Sequence, residues 1–384
     1  MNSTYSNKVL LLTRKAHFPY RVILISLALV LALIFFNGCT QRVTDSEQVD
    51  PARKIVVKFS HVTTADSPKG MAVERFAELV RQRTGGRVEV QVFHDSTLYK
   101  DGEEFEALRE GKVQLIAPAT SKLAGIAPAW QVLDLPYLFP SYEAVHRFVD
   151  GPARARLFEA LEAEGLVPLV FWDNGFKQMT NRVRPLVHPV DFAGLRFRVM
   201  MGSSVLQEQF RLLNAEPIPL AFSDVPGALA HDRVDGQENT LSNLRTKRLY
   251  EGQTYMTLSN HGFLGYVVLA EQDFWRSLPP DIRAVLEDSL EDVTRWERDY
   301  AAATNAKDLE TLKKMDGLEI HLQTPKERRE WEQALAPVYN SFAEQVSADL
   351  INAARKVGRK GGERQGPVLQ PVIEREKSPE VLRR

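Results

Sequence analysis

The sequence predicts an α/β protein of two domains, and three observations support this. Predicted strands alternate with predicted helices in two successive series, the pattern of a mostly parallel sheet covered by helices. With 384 residues, 44% of them hydrophobic, the chain is long enough to bury a core in each of two domains. A helical pattern from about Pro279 to Lys314 is unusually long for one globular helix.

The N-terminus has the features of an export signal. Basic residues precede an unbroken apolar run from Val22 to Phe36, which is short for a membrane-spanning helix and typical of a signal-peptide core. Gly38 and Cys39 follow, and Cys39, the only cysteine of the chain, resembles the lipidated cysteine of a bacterial lipoprotein. Residues 1–39 are therefore predicted to be a signal peptide ending at a lipidated cysteine. An uncleaved anchor and an ordinary cleaved signal are the alternatives, and all three would export the rest of the chain.

Two further segments show no apolar periodicity. Residues 40–53 are polar and are predicted to form a tether. From Arg355 the chain becomes charged and rich in glycine and proline, so residues 356–384 are predicted to form a disordered tail.

The first strand–helix series begins at about Lys54. Its segments are, in order, the strand KIVVKFSHV, the helix DSPKGMAVERFAELVRQRTGG, the strand RVEVQVF, the helix DGEEFEALREGK and the apolar strand VQLIAPA. Ser67 is expected to cap the first helix, and Pro68 suits its first position because the amide hydrogen that proline lacks would be unused there. This order predicts a βαβ unit with parallel strands.

The second series contains a strand with two charged residues on one face. Its segments are the strands VPLVFWDNG and LRFRVMM, the helix SSVLQEQFRLLN, the strand end VDGQEN and the strand GYVVLA. Side chains alternate between the faces of a strand, so Leu195, Phe197 and Val199 share one face while Arg196 and Arg198 share the other. The apolar face is expected to join a core. The arginine face raises the question of a binding site.

The residue content favours binding without catalysis. A formal net charge of -1 lacks the electrostatic footprint of a nucleic-acid binder. No cysteine follows position 39, no nucleophile-elbow or phosphate-loop motif occurs, and no two histidines are spaced i, i+4. Asp232 and Asp235 could bind a cation, but two carboxylates at a turn are more often solvated. The sequence therefore predicts no enzyme, no cofactor and no metal ion.

A family resemblance emerges from eight segments in order. They are HVTTADSPKGMAVERFAELV, APATSKL, DLPYLFPS, WDNGFKQMTN, GLRFRVMMGSSV, PIPLAFSDV, VDGQEN and HGFLGY. Their order and spacing resemble the solute receptors of TRAP transporters, of the dicarboxylate-receptor (DctP) type, from about Lys54 to Lys356. The resemblance implies a two-domain periplasmic binding protein fold with a central ligand cleft and a long helix spanning both domains. Domain one is then expected at 54–175 and 266–300, and domain two at 176–265 and 301–355.

The same resemblance implies a function. A receptor of this kind captures an organic acid, here expected to be a dicarboxylate, and delivers it to the membrane subunits of a sodium-coupled TRAP transporter. It is expected to work as a monomer in the periplasm and to meet the membrane only through its N-terminal anchor. The alternatives are a receptor of the same fold for a monocarboxylate, an oxoacid or a sugar acid, and a sensory binding protein for a signalling kinase.

Three residues carry the expected carboxylate recognition. Arg198 matches the family's arginine that forms a two-pronged salt bridge with the solute, a task that suits the planar guanidinium. Asn239 matches the asparagine that donates to the same carboxylate, and Lys177 is the candidate for the other end of a diacid. The alternatives are an arginine facing water at a sheet edge, a turn asparagine and a surface lysine. Arg196 is expected to be solvated or to support the site.

Six more residues are candidates for the cleft wall. Lys69 follows the Ser67 cap, where helix amides and a cation could attract an anion together, although a solvated first-turn lysine is equally compatible with the pattern. The others lie in the loop after the third strand or match apolar wall positions of the family, although the aromatic ones could equally be core. They are Ser121, Lys122, Trp172, Phe222 and Tyr266.

Overall fold

The computed structural model describes residues 54–359. The predicted signal peptide, the lipid on Cys39, the tether and residues 360–384 lie outside the described residues. The last helix continues through Arg359, so residues 356–359 are helical rather than part of a disordered tail. The reason is local packing, because Val357 lies against an apolar cluster and its carbonyl accepts a hydrogen bond from Arg147 (3.1 Å).

The strand and helix bounds follow the predicted alternation. The strands are β1 Ile55–Ser60, β2 Val88–Phe93, β3 Leu115–Ile116, β4 Leu166–Asn181, β5 Arg196–Met200, β6 Glu216–Leu220, β7 Gly236–Thr240, β8 Tyr255–Leu258, β9 Phe263–Glu271 and β10 Glu319–Leu322. The helices are α1 Pro68–Arg83, α2 Glu103–Arg109, α3 Tyr142–Val149, α4 Ala153–Glu162, α5 Ser204–Leu212, α6 Val225–Ala230, α7 Leu241–Thr246, α8 Gln272–Ser277, α9 Pro280–Leu312, α10 Pro325–Leu335, α11 Pro337–Val346 and α12 Ala348–Arg359. Short 3-10 helices occur at Thr120–Gly125, Pro128–Asp134, Pro189–Phe192 and Phe222–Asp224.

Two mixed sheets share one long strand. The first sheet has the order β2-β1-β3-β9-β4, and the second continues from β4 through β7 and β5 to β6. In the second sheet β8 pairs with β4, and β10 pairs with β8. β1 runs parallel to both β2 and β3, and β5 runs parallel to both β6 and β7. The α/β class and the parallel βαβ unit are thereby confirmed.

Helix α1 begins where the sequence indicates. Ser67 has an extended backbone, and its side chain accepts a hydrogen bond from the amide of Gly70 (3.1 Å), as an N-cap residue does. Pro68 occupies the first turn of the helix. The apolar stripe of α1, which includes Phe76 and Val80, is fully buried in the core of the first sheet.

The predicted long helix is confirmed as α9, Pro280–Leu312. At about 1.5 Å per residue, its 33 residues extend for about 50 Å. Its N-terminal half joins the core that contains α1, whereas Leu309 and Leu312 join the apolar cluster under α6 and α7. The helix therefore contacts elements of both sheets. Across residues 54–359, none of the helices is both long enough and apolar enough to cross a membrane.

The C-terminal helices return to the first sheet's side of the molecule. Residues of α11 and α12, such as Phe342 and Ile351, belong to the same buried cluster as Trp130 and Phe148. This packing links 337–359 to elements of the predicted domain one, although the sequence gives no signal for it. The domain boundaries derived from the resemblance stay predictions.

Candidate functional site

A small cavity lies between residues of the two sheets. The volume in it that a water molecule can occupy is about 20 Å³, which is room for about one water molecule. The lining residues come from strands of both sheets, from the loops between elements and from helix α7. They are Val62, Thr63, Asp101, Ala119, Lys122, Arg198, Met200, Phe222, Asn239, Asn243, Leu264 and Tyr266.

Arg198 reaches the cavity because of strand alternation. Its neighbours Phe197 and Val199 are fully buried in the apolar core, which turns Arg198 to the opposite face of β5. There the side chain is 1% exposed, and its Nε and Nη2 atoms donate to the Leu220 carbonyl at 3.2 and 3.0 Å. A guanidinium has five N–H groups, so three remain without an acceptor among the described residues.

The charge of Arg198 is the dominant feature of this wall. Burial lowers the pKa of Arg198, and the carboxylates of Asp101 and Glu238 partly oppose that effect. Neither carboxylate forms a salt bridge with it, because the ion pairs of Asp101 and Glu238 are with other residues. A buried guanidinium with unused donors is a site for a planar anion.

Asn239 is oriented by its own amide oxygen. That oxygen accepts hydrogen bonds from the Thr240 amide (3.0 Å) and from the Asn243 side chain (2.9 Å). The side chain is buried at the cavity wall on β7, next to the strand that carries Arg198. With its oxygen engaged, the NH₂ group of Asn239 is the part left to donate to a solute.

The opposite wall carries a lysine that already has carboxylate partners. The ammonium of Lys122 contacts the carboxylate of Asp101 and lies 3.2 Å from Glu104. Burial alone would raise the pKa of Asp101, but Lys122 brings it below its usual value, and both carboxylates raise the pKa of Lys122. Asp101 also accepts from the backbone amide of Phe222 at 2.6 Å, which joins loops from the two sheets.

At a second point, the absence of a Cβ atom in a glycine allows loops from the two sheets to approach closely. Gly202, which follows β5, has a φ of 96°, and a Cβ atom there would lie 3.1 Å from the Ser121 carbonyl oxygen and 3.2 Å from the Cα atom of Lys122. The loop after β5 therefore passes directly over the 3-10 helix that carries Lys122.

Lys69 lies behind the cavity wall, not in it. Its ammonium donates to the Ala117 carbonyl (2.9 Å) and lies 3.7 Å from the ring centre of Tyr266. Tyr266 itself lines the cavity. Burial, with the nearby charge of Lys122, lowers the pKa of Lys69 to about 7. Lys69 therefore does not line the cavity as expected, but it contacts the lining residue Tyr266.

Lys177 also has a different partner from the one expected. Its ammonium is 2.8 Å from Oε1 of Glu238, and Oε2 of Glu238 is 2.7 Å from Nε2 of His261. All three side chains are buried, and none of them lines the cavity. Burial would raise the pKa of Glu238, but Lys177 and His261 lower it to about 2. Lys177 is therefore committed to a buried ion pair.

Two further candidates serve the structure instead of the cavity wall. The hydroxyl of Ser121 donates to the buried carboxylate of Asp134 (2.6 Å). Trp172 stacks on Phe59 in the core, and its indole nitrogen donates to Thr294 (2.9 Å). Neither Ser121 nor Trp172 is among the cavity residues. Of the nine candidates, the structure brings together Arg198, Asn239, Lys122, Phe222 and Tyr266.

The cavity also contains residues that sequence reasoning missed. Val62 and Thr63 lie in the quoted segment HVTTADSPKG, and their position directly after β1 is the only signal that could have identified them. Asn243 lies one helical turn after Asn239. Asp101 has no local signal, because its role depends on Lys122 and Phe222, which are distant in sequence.

The carboxylates considered as cation ligands have cationic partners. Asp235 lies 2.8 Å from Arg196 and 3.0 Å from Arg182, and Asp232 contacts Arg182. Between residues 54 and 359, no group of three or more histidine, cysteine, aspartate or glutamate side chains is arranged to hold a metal ion. The cavity thus offers the guanidinium of Arg198 and the NH₂ group of Asn239, donors whose chemistry suits an anion.

Known proteins are similar to this chain over most of its length. The family model of bacterial extracellular solute-binding proteins, family 7 (DctP), matches residues 59–345. The C4-dicarboxylate-binding periplasmic protein DctP of Rhodobacter capsulatus is 43% identical over 305 residues, which are 79% of this chain and 91% of that protein. The C4-dicarboxylate-binding protein DctB of Bacillus subtilis (strain 168) is 40% identical over 327 residues, 85% of this chain and 93% of that protein.

Solved structures show the same architecture. A TRAP periplasmic solute-binding protein from Shewanella oneidensis with bound succinate has a TM-score of 0.78 and 38% identity, covering 79% of this chain and 99% of that chain. A sugar-acid-binding protein from Advenella mimigardefordensis strain DPN7T in complex with galactonate has a TM-score of 0.77 and 30% identity, covering 80% of this chain and 98% of that chain.

Proposed function

The chain belongs to family 7 of the bacterial extracellular solute-binding proteins (DctP), and on that premise we propose that it is a periplasmic receptor for a four-carbon dicarboxylate. In this function the protein closes around the solute and delivers it to the membrane subunits of a TRAP transporter without changing it chemically. The relatives named for C4-dicarboxylates and the neighbour crystallised with succinate support this choice of solute.

One observation carries the proposal. Arg198 is buried at the cavity wall with three N–H groups unused, beside the free amide of Asn239. Leaving a buried cation without a counter-ion is unfavourable, so the site is prepared for an anion that arrives from solution. A carboxylate matches the guanidinium because two parallel hydrogen bonds form at once.

The second carboxylate is assigned to the opposite wall. Among the described residues that line the cavity, the other cation is Lys122, and Thr63 and Tyr266 are hydroxyl-bearing residues of the same lining. A small cavity with a cation in each wall favours a short diacid over a long one. Lys177, whose ammonium is paired with Glu238, is left out of this assignment.

Calorimetric titration tests the proposal. Succinate and malate are expected to bind, and succinamate, which has the same length but replaces one carboxylate by an amide, is expected to bind at least tenfold more weakly. Such a difference corresponds to about 1.4 kcal/mol, the size of one charge-assisted hydrogen bond. Tighter binding of galactonate or of a monocarboxylate than of any diacid would replace the dicarboxylate by that class of solute.

Cys39 is proposed to hold the receptor at the outer face of a membrane. The solitary cysteine, three residues after the end of an apolar run, supports this proposal. Changing Cys39 to serine is expected to release the protein from the membrane fraction or to leave it unprocessed. Unchanged processing and fractionation of that variant would show that no lipid is attached there.

A further inference from the structure

A chain of hydrogen bonds joins the cavity to the protein surface through two histidines. Nε2 of His94 is 2.6 Å from Oε1 of Glu74, whose side chain is half exposed. Nδ1 of His94 is 2.8 Å from Nε2 of His61, and Nδ1 of His61 is 3.2 Å from Oγ1 of Thr63. Thr63 lines the cavity, so the order from solvent to cavity is Glu74, His94, His61, Thr63.

The parallel strands β1 and β2 bring these residues together. Ser60 pairs with Phe93, and the amide of His61 donates to the Phe93 carbonyl (3.0 Å), so the residues after both strands meet at one edge of the sheet. Thr63 is fixed there because its carbonyl accepts from the amide of Asp95 (2.9 Å). Glu74 belongs to helix α1.

The direction of each hydrogen bond follows from the one before it. A carboxylate only accepts, so the N–H of a neutral His94 is on Nε2 and its Nδ1 accepts from Nε2 of His61. His61 then has no proton on Nδ1 and accepts the hydroxyl hydrogen of Thr63. In this state the hydroxyl hydrogen of Thr63 is used inside the protein.

One proton on His94 reverses the chain. Both nitrogens of a protonated His94 donate, so His61 accepts at Nε2 and carries its own proton on Nδ1. Nδ1 of His61 then donates to Oγ1 of Thr63, and the hydroxyl hydrogen of Thr63 is released from this bond. We propose that Thr63 contacts the solute, and that its hydroxyl becomes a donor to a bound carboxylate when His94 takes up a proton.

The surrounding charges keep the proton on the outer histidine. Burial, together with the nearby Lys69 and His94, holds the pKa of His61 well below its usual range. The carboxylate of Glu74 lies 2.6 Å from Nε2 of His94. The other charged groups at this edge, Asp95 and Lys247, are paired with each other.

Ser67 is the other hydroxyl that contacts Thr63. Its Oγ donates to Oγ1 of Thr63 (2.9 Å) and to the Thr64 carbonyl (2.7 Å), and it accepts from the Gly70 amide. A charged carboxylate oxygen is a stronger acceptor than a hydroxyl that already has these partners. With solute present, the released hydrogen of Thr63 therefore points into the cavity.

This inference rests on the proposed carboxylate-binding function and predicts its pH dependence. Between about pH 8 and about pH 6, where histidines exchange protons, succinate affinity of the wild-type protein is expected to rise about tenfold more than that of His94→Gln. A gain of that size corresponds to one hydrogen bond to a charged group. The solute's own titration is the same for every variant and cancels in the comparison.

Matched variants isolate the hydroxyl and the histidine. Thr63→Val, which keeps the shape and removes the hydroxyl, is expected to lose the extra pH dependence, whereas Thr63→Ser is expected to retain it. His188→Gln is the control, because His188 pairs with Glu330 in the same way (2.6 Å) outside the cavity, and its pH profile is expected to match the wild type. Adding His94→Gln to Thr63→Val is expected to change the pH profile no further.

Two results would overturn the relay. One is a pH profile of His94→Gln that equals the wild-type profile, and the other is a Thr63→Val variant that keeps the full dependence. If wild-type protein binds no organic acid, the proposed function fails, and the relay is judged by nitrogen-15 NMR of the solute-free protein. The proton of His61 is then expected to move from Nε2 to Nδ1 as the pH falls, and an unchanged tautomer would reject the relay.

Discussion

The two walls of the cavity hold cations in opposite conditions. On the second sheet, Arg198 is buried with three unused N–H groups, and Asn239 presents a free amide. On the first sheet's side, the Lys122 ammonium is held between the carboxylates of Asp101 and Glu104. Among the described residues Arg198 has no ion-pair partner, whereas Lys122 is paired with two carboxylates.

The difference separates a residue that recognises the solute from residues that stabilise the protein. A cation without an internal partner gains a new interaction when the solute arrives, so its removal is expected to weaken binding. A cation with internal partners, such as Lys122, adds less to solute binding even where it faces the solute, and its removal is expected mainly to destabilise the fold. Lys177, paired with Glu238, belongs to the second kind even though the family resemblance suggests the first.

The largest expected effect is on stability, from Lys177→Met. The substitution leaves the carboxylate of Glu238 buried with the imidazole of His261 as its remaining hydrogen-bond partner, which is expected to lower the free energy of unfolding by about 3–5 kcal/mol. Chemical denaturation measures this. Adding Glu238→Gln is expected to recover part of the loss, because no unpaired charge then remains.

Solute titration of the same variant addresses the earlier assignment of Lys177. Because Lys177 does not line the cavity, succinate and succinamate are expected to lose affinity equally. A loss confined to the diacid would return Lys177 to the role of second carboxylate partner.

The next effect is on affinity, from Arg198→Ala. A solute carboxylate would be left buried without its counter-charge, so binding is expected to weaken by about 2–5 kcal/mol, well over tenfold. Arg198→Lys is expected to recover little of this, since an ammonium keeps the charge but loses the paired donors. Calorimetry on folded protein measures both variants, and near-normal affinity of either would remove Arg198 from the site.

The sequence predicted the elements that depend on local pattern. The cap of α1, the length of α9 and the parallel βαβ unit follow from spacing within single segments, and all three are present. The orientation of Arg198 was predictable too, because it needs only the alternation of one strand and an apolar opposite face.

The rest of the site depends on partners far apart in the chain. Lys177 and Glu238 are 61 positions apart and meet only because β4 and β7 pair antiparallel. Asp101 meets Phe222 across 121 positions. No local pattern encodes such a pairing, so a lysine that binds a solute and one that binds a glutamate look alike in sequence.

A further effect, on the pH dependence of stability, is expected from Lys69, which lies behind the cavity wall on the side of the first sheet. Its pKa falls from 10.5 to about 7 because it is buried near Lys122. Between these values the unfolded chain holds a proton that the folded protein lacks, so stability rises with pH in that window by up to about 1.4 kcal/mol per pH unit. Lys69→Met is expected to remove that part of the slope in urea unfolding between about pH 7 and about pH 10. If the free energy of unfolding changes with pH equally in the wild type and in Lys69→Met, Lys69 keeps its proton in the folded protein.

The smallest effect is expected from Arg196→Ala, the closest control for Arg198. Both arginines lie on one face of β5, but Arg196 is partly exposed and paired with Asp235 (2.8 Å), away from the cavity. Solute affinity is therefore expected to change less than about twofold, because an exposed pair contributes little. Burial would raise the pKa of Asp235, but Arg196 and Arg182 lower it to about 2. Stability from this carboxylate is present above its ordinary pKa and is lost as the pH falls toward 2, so Arg196→Ala is expected to begin acid unfolding at a higher pH. Equal affinity losses at Arg196 and Arg198 would mean that the strand as a whole, and not one guanidinium, controls binding.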